Sequence, residues 1–348
     1  MARKKRTCAP KKIQKRNKIK HKLLTKPTKY TFNPNNVTRF RCPITCEKFF
    51  QKFLTYDEIT EYLKSLQKRF RKKFHLEEIG KSTEKRSIYM VIITNNLKDR
   101  EKMAVLVEAG SDGSNILAVA SALYLINFLT KNQGLVKIMD YYILPCSNPD
   151  AYDMIIKNIS PNGTVPVNLA NNFPIILGAK TLQDVTTQDF VDALEEWKIN
   201  LRFSSPVTKA IIKSVAYTQK HVKLFISLQE GGSSLVFPFG SSSEVLNDEE
   251  ELATMAKSVQ RVLKNINIDI GSLYKICGLT FGSVIDFLKF HCGDIKFTYI
   301  FHIKDNEQET SIRDVLVYGE DIFNCVKSLA RNVYMYYNKL NPNKNKCK

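Results

Sequence analysis

Histidine and cysteine are the side chains best suited to hold a transition metal, and the C-terminal third of this 348-residue chain contains Cys277, His291, Cys292 and His302. Their spacing matches no short metal signature, since Cys277 and His291 are fourteen apart and His291 and Cys292 are adjacent. Cys42-x-x-x-Cys46 is an equally weak pattern and reads as two free thiols. His302 stands in an otherwise apolar run, where it could serve as a general base or be a satisfied core histidine. The other chemistry on offer is cationic. Arg3, Lys4, Lys5 and Arg6, then Lys11, Lys12, Lys15 and Arg16, form clusters of the kind that contact phosphates or act as nuclear-import signals.

The elements that must position such groups alternate along the chain. Thr55-Tyr56-Asp57-Glu58 is a capping-box pattern, with Ile59, Tyr62, Leu63, Leu66 and Phe70 following at helical spacing, so a helix is predicted from near Thr55. Strands are predicted at 88–94 and 103–109, a buried helix over 116–129, and a further strand over 136–144. A helix over 206–221 precedes a strand at 222–228, and an acidic-started helix runs from Asn247 to about Leu263. The strand 297–303 and a closing helix bearing Ile322, Phe323, Val326, Leu329, Ala330 and Val333 on one face complete the pattern. The strands are nearly continuously apolar, as when both faces of a sheet are covered. The expected fold is a single α/β domain with a mixed, mostly parallel central sheet and helices on both faces.

Charge divides the chain. Residues 1–46 hold fifteen of the 53 Lys and Arg residues and no Asp or Glu, leaving 38 basic against 34 acidic residues in the remainder. With few apolar residues, that stretch is expected to be a disordered polybasic arm, because burial cannot offset the entropy of ordering it. The domain is expected over 47–338, with a basic tail at 339–348. The arm is expected to direct the chain to the nucleus, to bind nucleic acid or another acidic partner, or to be only a solvated tail. It lacks regularly placed aromatics, so nucleic-acid binding would be without sequence preference.

No secretory leader is read at the start, where an apolar stretch should follow the basic residues. The eight cysteines are scattered, which agrees with a reducing compartment; nuclear or cytoplasmic residence is expected. Sequons at Asn36, Asn158 and Asn162 matter only on a secretory route. The longest apolar run, 116–129, is too short to span a bilayer and contains Asn127.

Six segments in order resemble the successive landmarks of the zinc carboxypeptidases of the A/B type, over about residues 53–338. They are Phe53-Leu54-Thr55-Tyr56-Asp57-Glu58-Ile59, Ile79-Gly80-Lys81-Ser82 with Arg86-Ser87-Ile88-Tyr89, Asn148-Pro149-Asp150-Ala151-Tyr152, Val167-Asn168-Leu169-Ala170-Asn171-Asn172-Phe173, Phe203-Ser204-Ser205-Pro206, and Phe237-Pro238-Phe239-Gly240. The resemblance implies that family's fold, an extracellular setting as is common within it, and zinc as the family cofactor.

Matched residue by residue, the resemblance implies a loss. The family's His-x-x-Glu falls on Ser111 and Ser114, and its second zinc-binding His on Gln229. Hydroxyl and neutral amide oxygens are poor donors to zinc. The general-base position carries His302; the pair that grips a substrate carboxylate falls on Ala170 and Asn171, without a guanidinium. A further Arg expected between Asp150 and Val167 has no counterpart, the stretch offering only Lys157. The mobile tyrosine of the family falls near Gly278, and the position that sets side-chain preference on Ile285, which could equally be a packing residue. These matches imply no retained cofactor and a catalytically inactive, carboxypeptidase-like binding or scaffold module for an unknown protein or peptide. The alternative is an active metallocarboxypeptidase with rearranged ligands, for which Asp112 and Glu230 are the nearby carboxylates.

Overall fold

The computed structural model describes residues 51–97, 99, 102–159, 168–173, 205–218, 220–304 and 310–340. The basic arm, Cys42 and Cys46, the sequons at Asn36 and Asn162, Val167, Phe203, Ser204 and most of the basic tail lie outside these residues.

The first helix, α1 (Tyr56–Arg69), begins as its sequence dictates. Thr55 Oγ1 accepts from the Glu58 amide at 3.3 Å, and Glu58 Oε2 accepts from the Thr55 amide at 3.0 Å, closing the capping box. Tyr56, Ile59, Tyr62, Leu63 and Leu66 then face the core. An antiparallel hairpin follows, β1 (Phe74–Lys81) with β2 (Ser87–Ile93). Next come β3 (Ala104–Ala109), buried throughout, and α2 (Ile116–Lys131), twelve of whose sixteen residues are buried. A helix apolar on nearly every side must be covered on nearly every side. The final helix, α9 (Asp314–Leu340), packs across it. They pack tightly at Gly319, where a side-chain carbon would lie 2.8 Å from Tyr124 Cγ.

The stretch 136–144 departs from the expected strand. Its first residues belong to a short helix, α3 (Gln133–Ile138), and only β4 (Asp140–Leu144) is extended. Leu135 and Val136 fill the same core from helical backbone; a short apolar run fits a buried helix as well as a strand. The remaining elements are α4 (Pro149–Ile156), α5 (Pro206–Thr218), β5 (Val222–Gln229), β6 (Gly232–Phe237), α6 (Glu249–Gln260), β7 (Asp269–Ser272), α7 (Leu273–Cys277), α8 (Val284–His291) and β8 (Phe297–Lys304).

All eight strands form one mixed sheet in the order β1-β2-β4-β3-β5-β8-β6-β7. The central strands β4, β3, β5 and β8 run parallel, whereas β1, β2 and β6 pair antiparallel. One face of the sheet is covered by α1, α2, α6 and α9, the other by α5 and α8. The layered α/β fold expected from the strand and helix pattern is thus present. From β3 the chain moves outward to β4 and then returns to β5 on β3's other side. The carboxyl ends of β3 and β5 therefore flank a switch in strand order, where α/β sheets place ligand sites. Among the described residues no helix is long and apolar enough to cross a membrane.

Candidate functional site

Polar side chains gather where β3, β5 and β8 end. Within the apolar strand β3, Glu108 is only 1% exposed. Its Oε1 accepts from the Ser111 amide at 3.1 Å, and its Oε2 from the Ser227 hydroxyl at 2.8 Å. Gln229 Nε2 in turn donates to Ser227 Oγ at 3.1 Å. One hydrogen-bonded chain thus joins the loop after β3 to the end of β5. Burial pushes the Glu108 carboxyl up from its ordinary pKa, and the bonds from Ser227 and Ser111 oppose that shift.

The loop after β3 needs close backbone packing. Gly110 has φ +76, and a side chain there would meet Val119 Cγ2 at 2.7 Å; only glycine meets both demands cheaply. The Ser111 carbonyl then accepts from the Leu169 amide at 3.1 Å and from Asn148 Nδ2 at 3.3 Å. This brings 168–173 against the loop, with Asp112 bridged to Asn168. Ala170 is buried there and its amide donates to Asn168 Oδ1 at 2.8 Å, while Asn171 is half-buried beside it. Ser114 turns to its own loop, its hydroxyl donating to Asp112 Oδ1 at 2.7 Å. Ser111, Gln229, Ala170 and Asn171 therefore share one end of the sheet, and Ser114 sits at its rim.

His302 is paired in register with Gln229 on one side and with Ser234 of β6 on the other. Its Nδ1 lies 2.8 Å from Ser234 Oγ, and burial depresses the ring's pKa to about 4. It is a neutral imidazole near neutral pH, with one nitrogen engaged. Glu230, just beyond Gln229, serves as a cap: its Oε1 accepts from the Leu117 and Ala118 amides at 2.8 and 3.3 Å, and its own amide donates to Asn115 Oδ1 at 2.8 Å. A carboxylate on the first turn of α2 satisfies otherwise orphaned amides and the positive helix end. Burial nevertheless raises its pKa, against those bonds and Lys304.

Other expected positions lie elsewhere. Gly278 closes α7 on the exposed surface with φ +85. Ile285 is fully buried among Val284, Leu288 and Ile300. Its neighbour Asp286 accepts from the Gly240 amide at 3.0 Å and the Ser241 amide at 2.9 Å, and burial lifts its pKa to about 6. Cys277 and His291 are exposed, Cys292 is half-buried, and His302 lies within the sheet. Among the described residues no three His, Cys, Asp or Glu side chains are grouped to hold a metal ion. Glu108 and Asn115 were not singled out by spacing; the available signal was a carboxylate inside the apolar run Ala104–Ala109.

A cavity of about 190 Å³ lies at the opposite, amino-terminal end of the parallel strands, lined in part by Thr94, Lys102, Asp140, Tyr142, Tyr217 and His221. Lys102 Nζ is spent there on Asp140 Oδ1 and Asn95 Oδ1, each at 2.6 Å.

The family profile described as zinc carboxypeptidase matches residues 59–319. Carboxypeptidase B2 of Bos taurus is 25% identical over 286 residues, which cover 76% of this chain and 65% of that protein. The chain thus spans somewhat less than two thirds of that relative. Carboxypeptidase B of Astacus astacus is 20% identical over 299 residues, covering 80% of this chain and 96% of that protein. Among solved structures, bovine thrombin-activatable fibrinolysis inhibitor in complex with tick carboxypeptidase inhibitor superposes with a TM-score of 0.69 at 21% identity, over 83% of this chain and 99% of that one. Carboxypeptidase A from Helicoverpa armigera gives a TM-score of 0.68 at 20% identity, over 82% and 75%. At these identities the structural likeness speaks for the fold.

Proposed function

This chain belongs to the zinc carboxypeptidase family, and from that premise we propose that it is a catalytically inactive member whose domain acts as a binding or scaffold module for a protein or peptide. One observation carries the reading: at the positions matched to the zinc ligands, the side chains are hydroxyls and an amide, and two of the three are already hydrogen-bonded to neighbouring side chains. Gln229 donates to Ser227, which donates to Glu108, and Ser114 donates to Asp112. Zinc draws its affinity from imidazole, thiolate and carboxylate donors, so this set does not fit the ion.

The neighbouring groups point the same way. Glu230 is held by the α2 amides and Asp112 by Ser114, so neither carboxylate stands ready as a substitute ligand. His302 is neutral and bonded to Ser234. At the matched clamp, Ala170 is buried and Asn171 carries no cation that could bind a C-terminal carboxylate bidentately.

Metal analysis of the purified full chain tests the reading, beside an assay for release of C-terminal residues from peptides. Substoichiometric zinc and no release are expected, with zinc gained only by the triple variant Ser111→His, Ser114→Glu, Gln229→His. One tightly bound equivalent of zinc in the unaltered chain would overturn it. Chelator-sensitive release, abolished by changing Asp112 or Glu230, would establish an active enzyme with rearranged ligands instead.

The charge of residues 1–46 supports a second role, nuclear or cytoplasmic placement or binding of acidic partners through the arm. Replacing Arg3, Lys4, Lys5, Arg6, Lys11, Lys12, Lys15 and Arg16 by alanine should then disperse a nuclear signal from a fluorescent fusion; unchanged placement or secretion would count against it.

A further inference from the structure

We propose that the exposed end of α1, the turn after it and the end of α2 form a second cationic surface, on the folded domain itself, that binds nucleic acid through its phosphate backbone. Residues 64–73 contain Lys64, Lys68, Arg69, Arg71, Lys72 and Lys73 and no carboxylate. Leu66 is buried and Phe70 half-buried, and this anchoring turns Lys68, Arg69, Arg71 and Lys72 into solvent. A seventh cation, Lys131, arrives from a different helix. It lies close enough to Arg69 that burial and the Arg69 charge together push its pKa down.

Several bases elsewhere in the domain are neutralised. Lys52, Lys81, Arg86, Lys157, Lys264, Lys275, Lys289 and Lys296 all meet carboxylates. Among the described residues, none of Lys68, Arg69, Arg71 or Lys72 has a carboxylate within salt-bridge distance. Their fixed contacts are instead Arg69 over the Phe70 ring and Arg71 Nε donating to the Lys68 carbonyl. Two adjacent helix carboxyl ends favour nearby cations, but each amounts to about half an elementary charge. That accounts for one or two of these residues. Arg71 and Lys72 lie beyond the cap of α1 at Phe70.

The composition of the patch selects the partner. It exposes no large apolar side chain of the kind that anchors a membrane-surface helix, and no exposed aromatic anchor of the kind that dominates a protein interface. What it offers is closely spaced Lys and Arg, the groups that neutralise successive phosphates and release their counterions. The site is separate from the polar cluster and independent of whether the domain retains catalysis.

The test uses the full chain and a fluorescein-labelled duplex of about 20 base pairs, followed by anisotropy from about 50 to 200 mM salt. The quadruple variant Lys68→Ala, Arg69→Ala, Arg71→Ala, Lys72→Ala should bind at least about tenfold more weakly, with a salt slope shallower by roughly 3 to 4. The charge-preserving pair Lys68→Arg and Lys72→Arg should bind as the unaltered chain does, which separates charge from folding. An unchanged slope in the quadruple variant would overturn the proposal, as would a loss confined to phosphatidylserine vesicles or to a sulfated polysaccharide while DNA binding persisted.

Discussion

Two buried titratable groups set opposite demands on pH. His302, with a pKa near 4 against an ordinary 6.5, binds its proton less well folded than unfolded. Its contribution to stability is complete above about pH 6.5 and is lost as pH falls through about 4. Asp286, raised from 3.8 to about 6, behaves in reverse: its contribution is present below about pH 3.8 and lost as pH rises through about 6. Each is worth about 3 kcal/mol across its window, so in the unaltered protein the two slopes largely cancel between pH 4 and 6.5. Single variants should expose them. Measured by urea unfolding, His302→Gln should gain stability relative to the parent on going from about pH 7 to 4.5, and Asp286→Asn should gain relative to the parent on going the other way. Parallel stability curves would show that neither group titrates as its burial requires. At this scale the sequence was only partly legible. His302 could be singled out by its type within an apolar run, and its partner Ser234 could not, because the two meet through strand pairing across 68 positions.

At the scale of elements, propensity and packing part company at Gly319. Glycine in the middle of a helix ordinarily costs about 1 kcal/mol relative to alanine, which would make Gly319→Ala stabilising on propensity alone. Here the added methyl would stand 2.8 Å from Tyr124 Cγ, the stem of the ring and not its movable end. Overpacking of this kind costs about 1 to 3 kcal/mol. The variant should therefore be less stable than the parent in urea, and Tyr124→Ala should make the same substitution neutral or favourable. If Gly319→Ala alone were stabilising, α2 and α9 would not be held at this distance. Helices and central strands were legible because their patterns are long: α1 begins at its capping box, and β3, β5 and β8 read as largely apolar runs. β1 did not, since Phe74–Lys81 carries Glu77 and Glu78 on a strand at the sheet edge. β7 did not because four residues including Gly271 hold too little pattern to see.

For the molecule as a whole, three of the segments that carried the family likeness meet at one polar node. Arg86, in the β1–β2 turn, places Nη1 2.7 Å from Asp150 and Nη2 3.3 Å from Asp153, both on α4. Asp150 also accepts from Ser82 Oγ at 2.7 Å and the Glu84 amide at 2.9 Å, while Asp153 accepts from the Tyr56 amide at the head of α1 at 3.2 Å. Three of the six landmark segments, far apart in sequence, are thus joined by one guanidinium and two carboxylates. A forked guanidinium can address two carboxylates at once and an ammonium cannot. Arg86→Lys should therefore cost about 1.5 to 3 kcal/mol, the scale of one charged hydrogen bond, with an unchanged dependence on urea concentration. Asp153→Asn should cost more, because Asp153 is buried and also pairs with Lys157 at 2.6 Å. In the double variant the two losses should fall short of additivity, since both remove the same contact. Strict additivity would mean that Arg86 and Asp153 act separately, and that the hairpin and α4 are joined by packing alone.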